Sequence, residues 1–109
     1  MPLGRHVARL RHLLDRLTHE EFEGRIGETF AAVAEGRTLT LTLRQVDMLP
    51  RPEGDKGRAP FSLEFTDPEP AHVPQQTVEV THEELGTFPL FVVPLGPSSD
   101  GMRYEAVFT

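Results

Sequence analysis

The chain has no cysteine, no tryptophan, one tyrosine and only three serines, Ser62, Ser98 and Ser99, in 109 residues. Without cysteine there is no disulfide, no thiolate metal ligand and no thiol nucleophile, so the fold holds without covalent staples and suits a reducing compartment, the cytoplasm by default. No apolar run approaches the roughly 20 residues that a membrane-spanning helix needs. The N-terminal stretch "HVARLRHLLDRL" interrupts every short apolar run with Arg, His or Asp, which argues against an export signal. Also missing are HExxH and any paired-histidine spacing, a glycine-rich phosphate loop, and a GxSxG setting for any serine. Ser62 alternates outward between Phe61 and Leu63, and Ser98 and Ser99 belong to a turn. His6 and His12 fall about 120° apart around a helix, too far to share an ion. The expectation is a protein with no catalytic residues, no metal and no cofactor.

Charge is unevenly spread. Through His19 four arginines (Arg5, Arg9, Arg11 and Arg16) face one acid, Asp15; the remainder sets seven basic against sixteen acidic residues, within a net charge of −6. An acidic body repels a phosphate backbone, and the basic arm has no aromatic residue for base stacking, so no nucleic acid is expected as partner. The arm equally lacks an aromatic anchor for a membrane surface.

Leu3, Val7, Leu10, Leu14 and Leu17 recur at steps of 4, 3, 4 and 3, which places them on one face of an amphipathic helix with arginines opposite. Such a helix is marginal alone, and its stripe must be covered. Val7, Leu10, Leu14 and Leu17 are therefore the candidate partner-binding residues, acting in self-association or in docking to another protein. The expected organisation is an N-terminal helix over 1–17 and a compact β domain over 18–109.

From Thr29 the apolar period changes to two. Six segments read as strands: "ETFAAVA", "RTLTLTLRQVDML", "FSLEF", "TVEVTH", "FPLFVVPL" and "MRYEAVF", separated by turn residues. The fold class is mainly β, a compact antiparallel barrel or sandwich of about six strands, with Tyr104 and Phe108 in its core. In the second segment Leu39, Leu41 and Leu43 share one parity while Val46 and Met48 lie on the other, so a β-bulge is expected near Arg44 or Gln45. "FPLFVVPL" is apolar on both parities and reads as a strand covered on both faces, with Pro89 and Pro94 at an end, an edge or a bulge. "GPSSDG" turns the fifth strand into the sixth.

"THEEFEG" (18–24) and "THEELG" (81–86) invite a metal or acid–base interpretation. The threonine followed three residues later by glutamate is also a capping box, with acids at the positive end of a helical turn and Gly86 as the exit. Capping accounts for every residue of the pair except the histidines. Glu64 and Glu105 read as outward strand positions, solvated or paired with Arg103.

"APFSLEF" (59–65), "HEELGTFPLFVVPLGP" (82–97) and "GMRYEAVFT" (101–109) together resemble the domain of unknown function 6916 family. These small bacterial proteins share a PFSL-type strand, an H-x-x-LG turn into an FLVP-like strand, and a closing GMRYEAVF strand. The resemblance covers Phe22 to Thr109 and leaves the arm outside. It implies a compact β domain without established catalytic residues, and accessory proteins encoded near phage-tail-collar-like proteins. The expected function is a non-catalytic assembly or adaptor domain; the alternative is a small-molecule-binding β-barrel.

Overall fold

Alternation of apolar and polar residues builds β1 (Thr29–Ala34), β2 (Arg37–Met48), β3 (Phe61–Asp67), β4 (Gln76–His82), β5 (Gly86–Ser98) and β6 (Gly101–Phe108), preceded by a short helix, α1 (His19–Glu23). The structure, a computed structural model, describes residues 17–51, 54, 59–69 and 73–109. All neighbouring strands are antiparallel, and each pairs with two others, so that one sheet closes into a barrel in the order β1-β2-β3-β6-β5-β4. Closure removes the open edges at which a small sheet would recruit other chains.

The inward set is the one that alternation selects. Phe30, Leu41, Leu63, Val80, Phe88 and Tyr104 are all 0% exposed and form the centre of the core. One end of the barrel is plugged by Phe22 of α1, whose ring centroid lies 5.5 Å from Phe108, 5.9 Å from Phe61 and 6.2 Å from Phe30. Phe61 and Phe108 stack at 4.6 Å. At the other end the buried Val73 donates its backbone N–H to the Tyr104 hydroxyl at 3.0 Å.

The parity slip in β2 is real: its register against β3 shifts between Leu43 and Gln45. Pro94 sits at a second shift, in β5 against β6, where the missing N–H costs no ladder bond. Pro89 lies opposite Glu79 in the part of β5 that pairs with β4 alone, since pairing with β6 begins at Val93. Ser98 and Gly101 close the β5–β6 turn. Gly101 has φ 118°, and a Cβ there would lie 2.1 Å from the Asp67 carbonyl oxygen, so only glycine fits.

Two expectations about burial are corrected. β5 is covered on one face only, because Phe88, Leu90 and Val92 point inward while Phe91 is 51% exposed and Leu95 39%. The strand buried on both parities is β3, where Ser62, read as outward, is 6% exposed and Thr66 3%. The Arg44 side chain lies over this strand, its Nε donating to Thr66 Oγ1 at 2.8 Å, and Arg103 grips Glu64 through Nε and Nη2 at 3.2 and 3.1 Å. Long cationic side chains thus shield short polar ones.

The expected amphipathic helix lies almost wholly outside the described residues, which begin at Leu17. What the structure describes there is the five-residue α1. Among the described residues no helix is long and apolar enough to cross a membrane.

Candidate functional site

The opening of the barrel beside α1 gathers the only cluster of interacting titratable groups that the "THEELG" segment joins among the described residues. His82 continues the inward parity of Val78 and Val80 at the end of β4 and is buried. Its ring lies 4.5 Å from the Phe30 ring. Nδ1 accepts the backbone N–H groups of Glu84 and Leu85, both at 3.1 Å. A nitrogen accepting two such bonds carries no proton, so the neutral imidazole holds its hydrogen on Nε2, which donates to Glu28 Oε1 at 2.7 Å. Both nitrogens are thereby engaged by protein partners.

Arg25 binds the outer side of the same carboxylate. Its Nη1 lies 3.6 Å from Glu28 Oε1 and donates to Glu84 Oε1. The hydrogen bond to Glu84 is the chief cause that raises the Arg25 pKa, with the charge of Glu28 adding to it. A group held charged in this way loses its tie only as pH rises above the ordinary arginine range, so alkaline conditions short of that leave the link intact. The cluster borders an open depression of about 370 Å³ lined by Gly27, Glu28, Thr29, His82, Glu83 and Glu84. Among the described residues no group of three or more His, Cys, Asp or Glu is placed to hold a metal ion.

Capping boxes are not what holds the duplicated motif. Thr18 is the N-cap of α1 but its side chain makes no capping bond; its carbonyl accepts from Glu21 N–H at 3.0 Å. Thr81 belongs to β4 and its hydroxyl meets that of Thr87 across the hairpin at 3.0 Å. The acceptor for the Glu83–Leu85 turn is the His82 ring, and Gly86, with φ 85°, leads out of it. The other histidine, His19, pairs its Nδ1 with Glu23 Oε2 at 2.8 Å, one helical turn away.

Outside the barrel the two halves differ in kind. β2, β3 and β6 are contiguous and carry Arg37, Arg44, Asp47, Glu64, Asp67, Arg103 and Glu105, whereas the equally contiguous β1, β4 and β5 contain no Lys or Arg and only one acid, Glu79. On the first half Arg44–Thr66, Gln45–Asp47 and Arg103–Glu64 bonds cross the surface, beside Met48 at 49% and Val107 at 50% exposed. On the second, Val33 is 57% and Phe91 51% exposed, with the exposed Ala31 and half-buried Pro89 beside them.

With this architecture in place, a scan against protein-family models matches residues 17–108 to the domain of unknown function DUF6916. The chain belongs to the DUF6916 family. No curated protein and no solved structure matches it. The match opens at Leu17, the residue at which the described DUF6916 domain begins.

Of the four residues expected to bind a partner, Val7, Leu10 and Leu14 lie outside the described residues. Leu17 is described, and it is 2% exposed as a member of the DUF6916 core rather than a free surface residue. Two features escaped sequence reasoning. The Glu28–His82 contact joins residues 54 positions apart, beyond any local spacing rule, although the parity of Val78, Val80 and His82 already pointed the ring inward. The bare half of the barrel requires the strand order, which no single segment contains.

Proposed function

We propose that this DUF6916 domain is a non-catalytic binding module that acts through protein–protein contacts, with the β1–β4–β5 wall and the N-terminal stripe Val7, Leu10 and Leu14 as its docking elements. The observation that carries this reading is the wall itself: three adjacent strands with Val33, Phe91 and Leu95 part exposed and a single charged residue, Glu79, against seven charged residues on the opposite strands. Exposed apolar side chains on a wall poor in charge mark a site of association. Adaptor duty in a phage-tail-like assembly, in the cytoplasm, is the finer form of the proposal, and family resemblance is its support.

A ligand inside the barrel is the weaker alternative. It needs a cavity of about 300 Å³ or more, whereas the inward side chains Phe30, Leu41, Leu63 and Tyr104 expose no surface at all. Affinity capture from the native host tests the proposal, with wild-type chain compared against a Phe91→Asp variant of equal melting temperature. A protein recovered at stoichiometric level by the first and lost by the second supports the module; recovery of the chain alone in both rejects it.

A further inference from the structure

We infer that the β4–β5 turn is a proton-operated latch: uptake of a proton at His82 Nδ1 releases the backbone of Glu84 and Leu85 and bares apolar surface at the α1 end of the barrel. The latch acts independently of the docking wall and needs no partner.

The two protonation states of this ring make opposite demands. In the neutral imidazole Nδ1 accepts the N–H groups of Glu84 and Leu85, both at 3.1 Å, while Nε2 donates to Glu28 Oε1 at 2.7 Å. In the imidazolium both nitrogens donate. The bond to Glu28 then becomes an ion pair, whereas Nδ1 turns a hydrogen toward two backbone hydrogens and the turn loses its acceptor. The loss is felt most at Leu85, which is buried, because a buried N–H without a partner carries its full desolvation penalty. Opening of the turn delivers both amides to water and removes that penalty. Imidazole is the side chain that ordinarily changes charge between about pH 5 and 8. The bonds at Nδ1 are therefore present at neutral and higher pH and are lost as pH falls.

The charges around the ring favour the protonated state. Glu28 approaches from the residues before β1, and Glu83 and Glu84, from the turn itself, line the same open depression. Arg25, from the loop after α1, opposes them, but its Nη1 is taken up by Glu84 and Glu28. α1 turns the Phe22 ring toward Phe30, and its His19 is tied to Glu23. β5 adds Thr87, whose hydroxyl meets that of Thr81. Acids thus stabilise the imidazolium while the turn requires the imidazole, and the two cannot be satisfied together. Leu85 belongs to the core and Phe30 lies 4.5 Å from the His82 ring, so release of the turn bares apolar surface. Release stays local, because β4 and β5 remain joined by the ladder from Gln76–Val92 to Thr81–Thr87.

Nitrogen NMR of the full chain tests the latch. Imidazole signals report the protonation of His82 among the chain's five histidines, and amide hydrogen exchange, corrected for its intrinsic pH dependence, reports the turn. Between about pH 7.5 and about pH 5 the protection of the Glu84 and Leu85 amides is expected to fall by about tenfold or more, in step with protonation of His82, while Leu41, Leu63 and Tyr104 keep theirs. Glu28→Gln retains an acceptor for Nε2 without the charge that favours the imidazolium, and moves the loss to lower pH. His82→Asn offers the turn an acceptor that does not titrate, so its protection stays flat with pH. Turn protection that holds while His82 takes up its proton, or a ring that stays neutral down to about pH 5, would overturn the inference. So would an equal loss in His82→Asn, which would assign the effect to the surrounding carboxylates, or a midpoint that Glu28→Gln leaves in place.

Discussion

Glu28 and His82 stand 54 residues apart in the chain and 2.7 Å apart in the fold. The bond is what turns a histidine at the end of a hairpin into a fixed acceptor, because holding the proton on Nε2 leaves Nδ1 free for the N–H groups of Glu84 and Leu85. Sequence, turn and barrel end are linked through one ring.

His82→Ala removes that acceptor and strands two backbone donors, those of the exposed Glu84 and the buried Leu85. The expected loss is about 2–4 kcal/mol, combining unsatisfied donors with a lost aromatic contact to Phe30. His82→Asn keeps an acceptor oxygen close to the position of Nδ1 and recovers a substantial part of the loss. Thermal melts order the three chains, and amide hydrogen exchange at Glu84 and Leu85 rises in the alanine variant while staying near wild type in the asparagine one. Equal exchange in all three would mean that the ring does not hold the turn.

Two glycines give opposite forecasts. At Gly101 a Cβ would lie 2.1 Å from the Asp67 carbonyl oxygen, and φ is 118°; at Gly24 nothing stands within 4 Å and φ is −81°. Gly101→Ala therefore costs upwards of about 2 kcal/mol, through strain at positive φ and displacement of β3 backbone. Gly24→Ala stays within about 0.5 kcal/mol of wild type. Urea denaturation of both variants side by side checks the pair, and similar midpoints would refute the close approach of β6 to the end of β3.

Much of this barrel could be read before its coordinates. Strand positions follow from alternation because one face of each is buried, and the bulge between Leu43 and Gln45 follows because a single extra residue exchanges the two faces. What resisted reading were properties of pairs of distant strands. Ser62 reads as outward by alternation yet is 6% exposed, and Thr66 on the same strand is covered by Arg44 from a different one. "FPLFVVPL" looks doubly buried because apolar residues fall on both parities, yet Phe91 faces outward on a wall that only the cyclic strand order defines. The site suffered most: the Glu28–His82 and Arg25–Glu84 bonds that tie it together join residues 54 and 59 positions apart.

Phe22 and Phe91 separate core from surface. Phe22 is 0% exposed and touches three other rings, so Phe22→Ala opens the plugged end and costs about 3–5 kcal/mol. Phe91→Ser, on the outer wall, lowers stability by far less. Denaturant midpoints measured at unchanged slope report the difference, and comparable losses at the two positions would show that the wall is part of the fold rather than a surface laid over it.

Tyr104 is the chain's only tyrosine and there is no tryptophan, so its near-ultraviolet signal reports on the far end of the barrel alone. The ring is 0% exposed, and its hydroxyl accepts the Val73 N–H at 3.0 Å, tying the segment before β4 to β6. Tyr104→Phe keeps the ring and removes the acceptor, leaving a buried N–H without its partner; the expected cost is about 1–3 kcal/mol. Far-ultraviolet circular dichroism follows unfolding in both chains, since the variant loses the tyrosine signal. Hydrogen exchange then localises the effect: the Val73 amide exchanges faster in the variant while amides at the His82 end keep their protection. Faster exchange throughout would mean that the hydroxyl stabilises the whole barrel, and unchanged exchange at Val73 would mean that the bond closes nothing.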